Sequence, residues 1–239
     1  MNREELLKTG AEAIGISLSE KQTAQFIKYY EILVEWNSFM NLTGITEYEE
    51  VVQKHFVDSL ALSKALDVSK AETLIDIGTG AGFPGIPLKI AYPHLKVTLL
   101  DSLQKRIKFL NEVVDQLGLK EVETIHGRAE DFAKPSMKRE SYDLCVSRAV
   151  ANLASLSEYC LPYVKVGGYF VPYKSGKVDE ELIESKKAIF LLGGKVEKEV
   201  KFMLPDSDIT RSLIKIKKIS ATPKKYPRKS GLATKEPIK

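Results

Sequence analysis

Between Thr73 and Tyr173 short β-branched or aromatic runs alternate with helical stretches, and this alternation constrains the fold more than any other feature. The β-rich runs are 74–77, 97–100, 122–126, 142–147 and 169–173, the last entered through a Gly167-Gly168 turn. Helical patterns fill the gaps at about 84–92, 104–117, 152–163 and 179–192. Parallel strands need crossover connections, so the expectation is an α/β fold with a mostly parallel sheet and helices on both faces. Two later strands, about 195–204 and 211–219, have no helix between them and should form an antiparallel hairpin at the sheet edge.

An N-terminal helical extension precedes this pattern. Residues 3–14 read as a short amphipathic helix. Ser19-x-x-Gln22 is a capping box opening a longer helix to about residue 39, with Phe26, Tyr29, Tyr30, Leu33 and Trp36 near one face. After the turn formers 37–44, a further helix is expected over 47–66, placing His55, Asp58 and Ser59 within about one turn. The organisation is therefore a helical region (1–70), an α/β domain (71–220) and a basic tail (221–239).

Composition adds limits. With 239 residues, 44% hydrophobic and 28% charged, the chain suits one large α/β domain with a small extension. No apolar run is long enough to span a membrane and the N-terminus lacks a signal-peptide pattern, so a cytoplasmic location is expected. Cys145 and Cys160 read as reduced core residues, and the three scattered histidines suggest no metal site. The net charge of +4 is uneven: nine basic residues against Glu236 give residues 215–239 a charge of +8, leaving −4 for the rest. Such a tail can bind a phosphate backbone.

The strongest local signal is Thr73-Leu-Ile-Asp-Ile-Gly-Thr-Gly-Ala-Gly-Phe-Pro-Gly85, a strand running into a glycine loop and then a helix. Gly78, Gly80 and Gly82 let the backbone approach a ligand at the carboxyl end of the first strand. Two cofactors compete. Gly80-Ala-Gly82-Phe-Pro-Gly85 fits the dinucleotide pattern G-x-G-x-x-G literally. Asp76, expected at the mouth of the site, suits the ammonium of an amino-acid cofactor and opposes a pyrophosphate. Asp-Ile-Gly-x-Gly-x-Gly also looks like the first motif of Rossmann-fold methyltransferases. Asp101, ending the second strand, can accept hydrogen bonds from ribose hydroxyls in either case. Ala129 and Glu130, after the third strand, stand where methyltransferases commonly meet adenine.

The fourth strand ends Ser147-Arg148-Ala149-Val150. The Asn/Asp-Pro-Pro-aromatic motif of exocyclic-amine methylation is absent, and neither cysteine is placed as a nucleophile. What remains is direct transfer to an atom that is already nucleophilic, such as guanine N7, which needs alignment and no base. Arg148 could hold the cofactor carboxylate or a substrate phosphate.

The whole chain resembles the glucose-inhibited division protein B family, the small-subunit rRNA guanine-N7 methyltransferases. The resemblance rests on Asn37…Asn41-Leu42-Thr43, His55-Phe-Val-Asp-Ser59, Asp76 to Gly85-Ile-Pro, Leu100-Asp101-Ser102 with Lys105-Arg106, Ser147-Arg148-Ala149 and Tyr226-Pro227-Arg228. It implies a Rossmann-like class I methyltransferase sheet, S-adenosylmethionine as cofactor, and guanine N7 of 16S rRNA, free or in the small ribosomal subunit, as target. By motif match it implies cofactor contacts from Gly78, Phe83, Ala129, Glu130 and Arg148, with Asn41 and His55 flanking the site. RNA contacts are expected from Lys105, Arg106, Lys108, Lys174, Lys177, Lys224, Lys225 and Arg228, with Tyr226 stacking on a base. Small rRNA methyltransferases are often monomers, so a monomer is expected. The rival functions are a nicotinamide-dependent oxidoreductase, a non-catalytic RNA-binding module and a small-molecule methyltransferase.

Overall fold

The structure is a computed structural model and describes residues 2–148, 151–175 and 178–238. Expectations that fall on Ala149, Val150, Lys177 and Lys239 lie outside the described residues. Seven strands among those described form one sheet: β1 (Thr73–Ile77), β2 (Lys96–Asp101), β3 (Val122–His126), β4 (Tyr142–Ser147), β5 (Val164–Ser175), β6 (Gly194–Met203) and β7 (Thr210–Lys218). The spatial order is β3-β2-β1-β4-β5-β7-β6. Strands β1 to β5 pair in parallel, and β7 runs antiparallel between β5 and the edge strand β6. The order reverses between β1 and β4, where open α/β sheets leave a crevice at the strands' carboxyl ends.

Helices α5 (Gly85–Ala91), α6 (Gln104–Gln116), α7 (Ala129–Phe132), α8 (Leu153–Cys160) and α9 (Asp179–Leu191) follow β1, β2, β3, β4 and β5 in turn. Alternation along β1 divides the core. Leu74 belongs to a cluster with Leu7, Phe26, Phe56 and Phe109, while Ile75 belongs to one with Cys145, Leu156 and Phe170. The glycine pair expected as a turn lies inside β5. There β4 residues Tyr142 and Leu144 face Val164 and Tyr169, so Gly167, at φ 93°, sits in a bulge instead of between elements.

The N-terminal helices α1 (Arg3–Glu12) and α2 (Glu20–Met40) pack on the first cluster. The Ser19 capping box forms as expected: Gln22 N donates to Ser19 Oγ at 3.3 Å, and Ser19 N donates to Gln22 Oε1 at 2.9 Å. The helix expected over 47–66 is segmented. It comprises α3 (Tyr48–Val51), a π-helical stretch (Val52–Val57), α4 (Asp58–Leu60) and a 3₁₀ turn (Ala61–Lys64). Two of its carbonyls accept from side chains: Lys54 O from Arg148 at 3.0 Å, and His55 O from Ser59 Oγ one turn on. Such competition for i→i+4 acceptors accounts for the wider turn.

The basic tail folds back onto the body. Lys218, fully buried, donates to Leu161 O and Thr222 Oγ1 and pairs with Glu140 at 3.2 Å. Arg139 donates to the carbonyls of Thr222, Pro223 and Tyr226. Arg228 grips Glu158, which is 1% exposed, with Nη2···Oε2 at 2.7 Å. The short helix α10 (Leu232–Lys235) lies on α8, where Ser155 Oγ donates to Ala233 O at 2.7 Å. Counting charges missed this because several of them have partners far away in sequence.

Candidate active site

The glycine loop leaves β1 at the sheet's switch point. Gly78 N and Thr79 N both donate to Leu100 O, fastening the loop across β2. Asp76 does not stand at the mouth of the site, as the sequence suggested. It is wholly buried, and its Oδ2 accepts from Thr79 Oγ1 at 2.7 Å and from Gly85 N at 2.8 Å, while Oδ1 has no partner among the described residues. Burial pushes its pKa up to about 7, against the hydrogen bonds that favour the charged form. Asp76 therefore braces the loop from behind. Gly82 is also structural: at φ 94° a Cβ there would meet Ile86 Cγ1 at 2.6 Å and the Tyr29 hydroxyl at 2.7 Å.

This bracing decides between the two cofactor geometries. A pyrophosphate needs free N–H groups at the start of the following helix. Here Gly85 N donates to Asp76, Ile86 N donates to Gly82 O at 2.8 Å, and Pro84 and Pro87 have no N–H. The first turn of α5 offers no donor for a dinucleotide, despite the literal G-x-G-x-x-G.

Three cavities run in a row along the carboxyl ends of the strands. The first, about 270 Å³, is lined by Gly78, Ser102, Ala129, Glu130 and Tyr159. The second, about 380 Å³, is lined by Gly78, Gly80, Phe83, Asp101, Ser102 and Thr43, with His55 and Arg148 at its far side. The third, about 650 Å³, shares His55 and Arg148 with the second and adds Asp58, Lys174, Glu181 and Arg211. Gly78 and Ser102 join the first two, and His55 and Arg148 join the last two. Asp101 is held in place: its Oδ2 accepts from Gly80 N at 2.9 Å and Arg106 Nη1 at 3.1 Å, and its Oδ1 accepts from Leu103 N at 2.9 Å.

At the second junction Arg148 donates through Nη1 to Asp58 Oδ2 and Lys54 O, both at 3.0 Å, and its guanidinium lies 5.0 Å from the Phe83 ring centroid. Asp58 is 1% exposed, and its other oxygen accepts from Arg211 Nε at 3.0 Å. Two guanidinium groups thus share one carboxylate, leaving the cluster one positive charge. His55 stacks on Phe83 with centroids 4.5 Å apart. Its Nδ1 lies 3.2 Å from Arg148 Nη2 and its Nε2 lies 2.9 Å from Thr43 Oγ1. Nδ1 also lies 3.1 Å from the Lys54 carbonyl, so it can either accept from Arg148 or donate to Lys54 O. Burial, reinforced by the Arg148 charge, lowers the His55 pKa to about 4, so the ring is neutral at neutral pH.

The remaining expectations separate clearly. Asn41 is the exposed left-handed cap of α2; Asn37 shapes the loop instead, its Oδ1 accepting from Leu42 N at 2.7 Å and Thr43 N at 2.9 Å. Ser59 is buried and lines none of the three cavities: its Oγ donates to His55 O and its carbonyl accepts from Tyr173. Tyr226 is 8% exposed and has no free face for a base, and Arg228 is occupied by Glu158. Lys174 is 9% exposed, with Nζ bonded to Glu181 Oε1 and Ala151 O, both at 2.7 Å, so it is not a surface phosphate contact. Lys105, Lys108, Lys224 and Lys225 are exposed, and Arg106 is half-buried against Asp101. Sequence reasoning missed Tyr159, Glu181 and Arg211, which reach the site from separate segments with no local motif, whereas Thr43 and Ser102 lie in segments on which the family resemblance rests.

The profile of the family described as GidB, rRNA small subunit methyltransferase G, matches residues 22–213. Proteins named ribosomal RNA small subunit methyltransferase G are similar over nearly the whole chain. One from Lachnoclostridium phytofermentans is 60% identical, covering 96% of this chain and 95% of its own length. One from Alkaliphilus metalliredigens is 52% identical over 100% of both. Among solved structures, a SAM-dependent methyltransferase from Aquifex aeolicus aligns with a TM-score of 0.53 at 20% identity, over 70% of this chain and 92% of its own. TYW2 of M. jannaschii in complex with AdoMet gives 0.53 at 16% identity, over 68% and 77%. These structural likenesses establish the Rossmann-like methyltransferase fold, with its antiparallel strands at one edge. On the strength of the profile and of these full-length relatives, the chain belongs to the rRNA small subunit methyltransferase G family.

Proposed function

We propose that this protein transfers the methyl group of S-adenosylmethionine to N7 of a guanine in 16S ribosomal RNA. The observation that carries this is the row of three cavities, each joined to the next by two shared residues. The residues fit the cofactor. Ala129 and Glu130 line the cavity for an adenine, and Asp101 offers lone pairs to ribose hydroxyls at the next. Gly80, at φ 62°, has open space where a Cβ would stand, so the backbone itself forms the wall there. Gly78 and Phe83 complete the side that would take the methionine portion, next to Arg148.

S-adenosylmethionine supplies an electrophilic methyl group on a positively charged sulfur. The His55–Arg148 junction separates this side from the largest cavity, which takes the base. Guanine N7 has a free lone pair and no proton to lose, so the protein need only align and desolvate it. His55 serves as a neutral stacking wall, and its low pKa keeps a repelling imidazolium out of the junction at neutral pH. The Asp58-bridged pair of arginines keeps one net positive charge for a backbone phosphate. Lys105, Lys108, Lys224 and Lys225 guide the RNA by charge, with a steep salt dependence.

The test uses labelled S-adenosylmethionine with 16S rRNA and small subunits from cells lacking this protein. Label released by cleavage specific for N7-methylguanine supports the proposal. Proven cofactor binding without label in any RNA form refutes it.

A further inference from the structure

The third cavity holds a charged pair that methyl transfer itself does not require. Glu181 stands in the first turn of α9, and its Oε1 accepts from Lys174 Nζ and from Leu153 N at the start of α8. Its Oε2 has no partner among the described residues, and the side chain is 28% exposed. Lys174 is nearly buried and fixed by the Ala151 carbonyl. Desolvating an ammonium and a carboxylate adds little net stability, and a neutral acceptor would satisfy Leu153 N as well. The other carboxylate lining this cavity, Asp58, is 1% exposed with an arginine on each oxygen, whereas the Glu181 side chain is 28% exposed. Glu181 is therefore the cavity's available anionic acceptor among the described residues.

The order of these groups selects a base. Guanine presents, side by side, an acceptor (O6) and then donors (N1–H and the 2-amino group). Adenine presents a donor and then an acceptor. An ammonium beside a carboxylate complements the first pattern and opposes the second. In guanine, N7 lies on the imidazole ring, across the base from the 2-amino group. A guanine held by that edge turns N7 away from Glu181, and the cavity's other charged wall is the His55–Arg148 junction. We propose that Glu181, positioned by Lys174 and the Leu153 amide, is the specificity-determining carboxylate that accepts the N1–H and 2-amino hydrogens of the target guanine. This rests on the guanine-N7 function proposed above.

The test compares two rRNA substrates differing at the single mapped target: guanosine, or inosine, which keeps O6 and N1–H but lacks the 2-amino group. The wild type should lose about tenfold or more in kcat/KM on inosine, as expected for one charge-assisted hydrogen bond. Glu181→Gln should lose a similar factor on guanosine and show a guanosine-to-inosine ratio near one, with S-adenosylhomocysteine binding unchanged. Glu181→Asp keeps the charge and provides a second variant should the amide disturb folding; it should retain part of the preference. A wild type indifferent to inosine, or either folded variant keeping the full wild-type preference, overturns the inference. Absence of guanine-N7 methylation by the wild type would instead refute the function on which it rests.

Discussion

Asp58→Ala is the sharpest test of how the substrate cavity is held. The carboxylate is 1% exposed and receives Arg148 on one oxygen and Arg211 on the other, each at 3.0 Å. Removing it leaves two guanidinium groups facing one cavity without a counter-ion. Breaking a buried ion pair from one side costs about 3–5 kcal/mol. Arg148 and Arg211 keep 19% and 26% of their side-chain surface, so water screens part of that loss. A destabilisation of about 2–3 kcal/mol, hence a fall in Tm of about 4–12 °C, is the expected result for a chain of this size. Arg148 also donates to Lys54 O within the π-helical stretch, so its release should disturb the His55–Phe83 stack and reduce methyl transfer. Thermal unfolding with and without S-adenosylhomocysteine, together with the methyl-transfer assay, measures both effects. A Tm within about 1 °C of wild type with full activity would show that the two arginines need no shared carboxylate, and the argument would fail.

Gly82→Ala should destabilise the protein by about 2 kcal/mol more than Gly80→Ala, because its Cβ meets Ile86 and Tyr29 whereas that of Gly80 enters open space. Thermal melts of the two variants check the difference, and equal melting would contradict it. The pH response of stability contains two opposing slopes. Unfolded His55 takes up a proton between about 4 and 6.5 that the native ring refuses, so its contribution is lost as pH falls through that window. Native Asp76 keeps its proton to about 7 while the unfolded carboxyl ionises near 3.8, so its contribution is lost as pH rises through that range. His55→Gln should therefore make stability fall with pH between about 5 and 7, and Asp76→Asn should make it rise, as read by urea unfolding; parallel profiles would disprove the assignment. Deleting residues 223–239 should weaken S-adenosylhomocysteine binding as well as RNA binding. The segment donates Gly231 N to Glu130 at 2.9 Å, and Thr234 Oγ1 meets the Tyr159 hydroxyl at 2.7 Å, both beside the first cavity. Calorimetry giving unchanged affinity would rule out that support.

Features fixed by local chemistry were legible in the sequence. The Ser19–Gln22 box, the β3 and β4 spans and the antiparallel edge pairing follow from capping and side-chain periodicity over a few residues. The glycine loop was found for the same reason, but the direction of Asp76 was not. A strand residue faces one side or the other, and only the packing of α5 behind β1 settles which. The Asp58 clamp joins residues 90 and 153 positions apart, and no pattern within one element announces it. The docking of the tail was not legible because its composition is that of a solvated segment, while Tyr226 and Ala233 are buried against the body. The wide turn around His55 arises from a tertiary bond to Arg148, which helix propensity does not encode.

The edge strand β6 leaves a row of backbone amides and carbonyls without a strand partner on one side. Its ten residues include Lys195, Glu197, Lys198, Glu199 and Lys201, and its register slips between Val196 and Lys198. A second chain docking there would have to bury this alternating charge and match a bulged edge, which flat cross-strand pairing does not tolerate. The strand completes the sheet and at the same time guards this edge against the template-driven aggregation to which an uncharged, regular edge is prone.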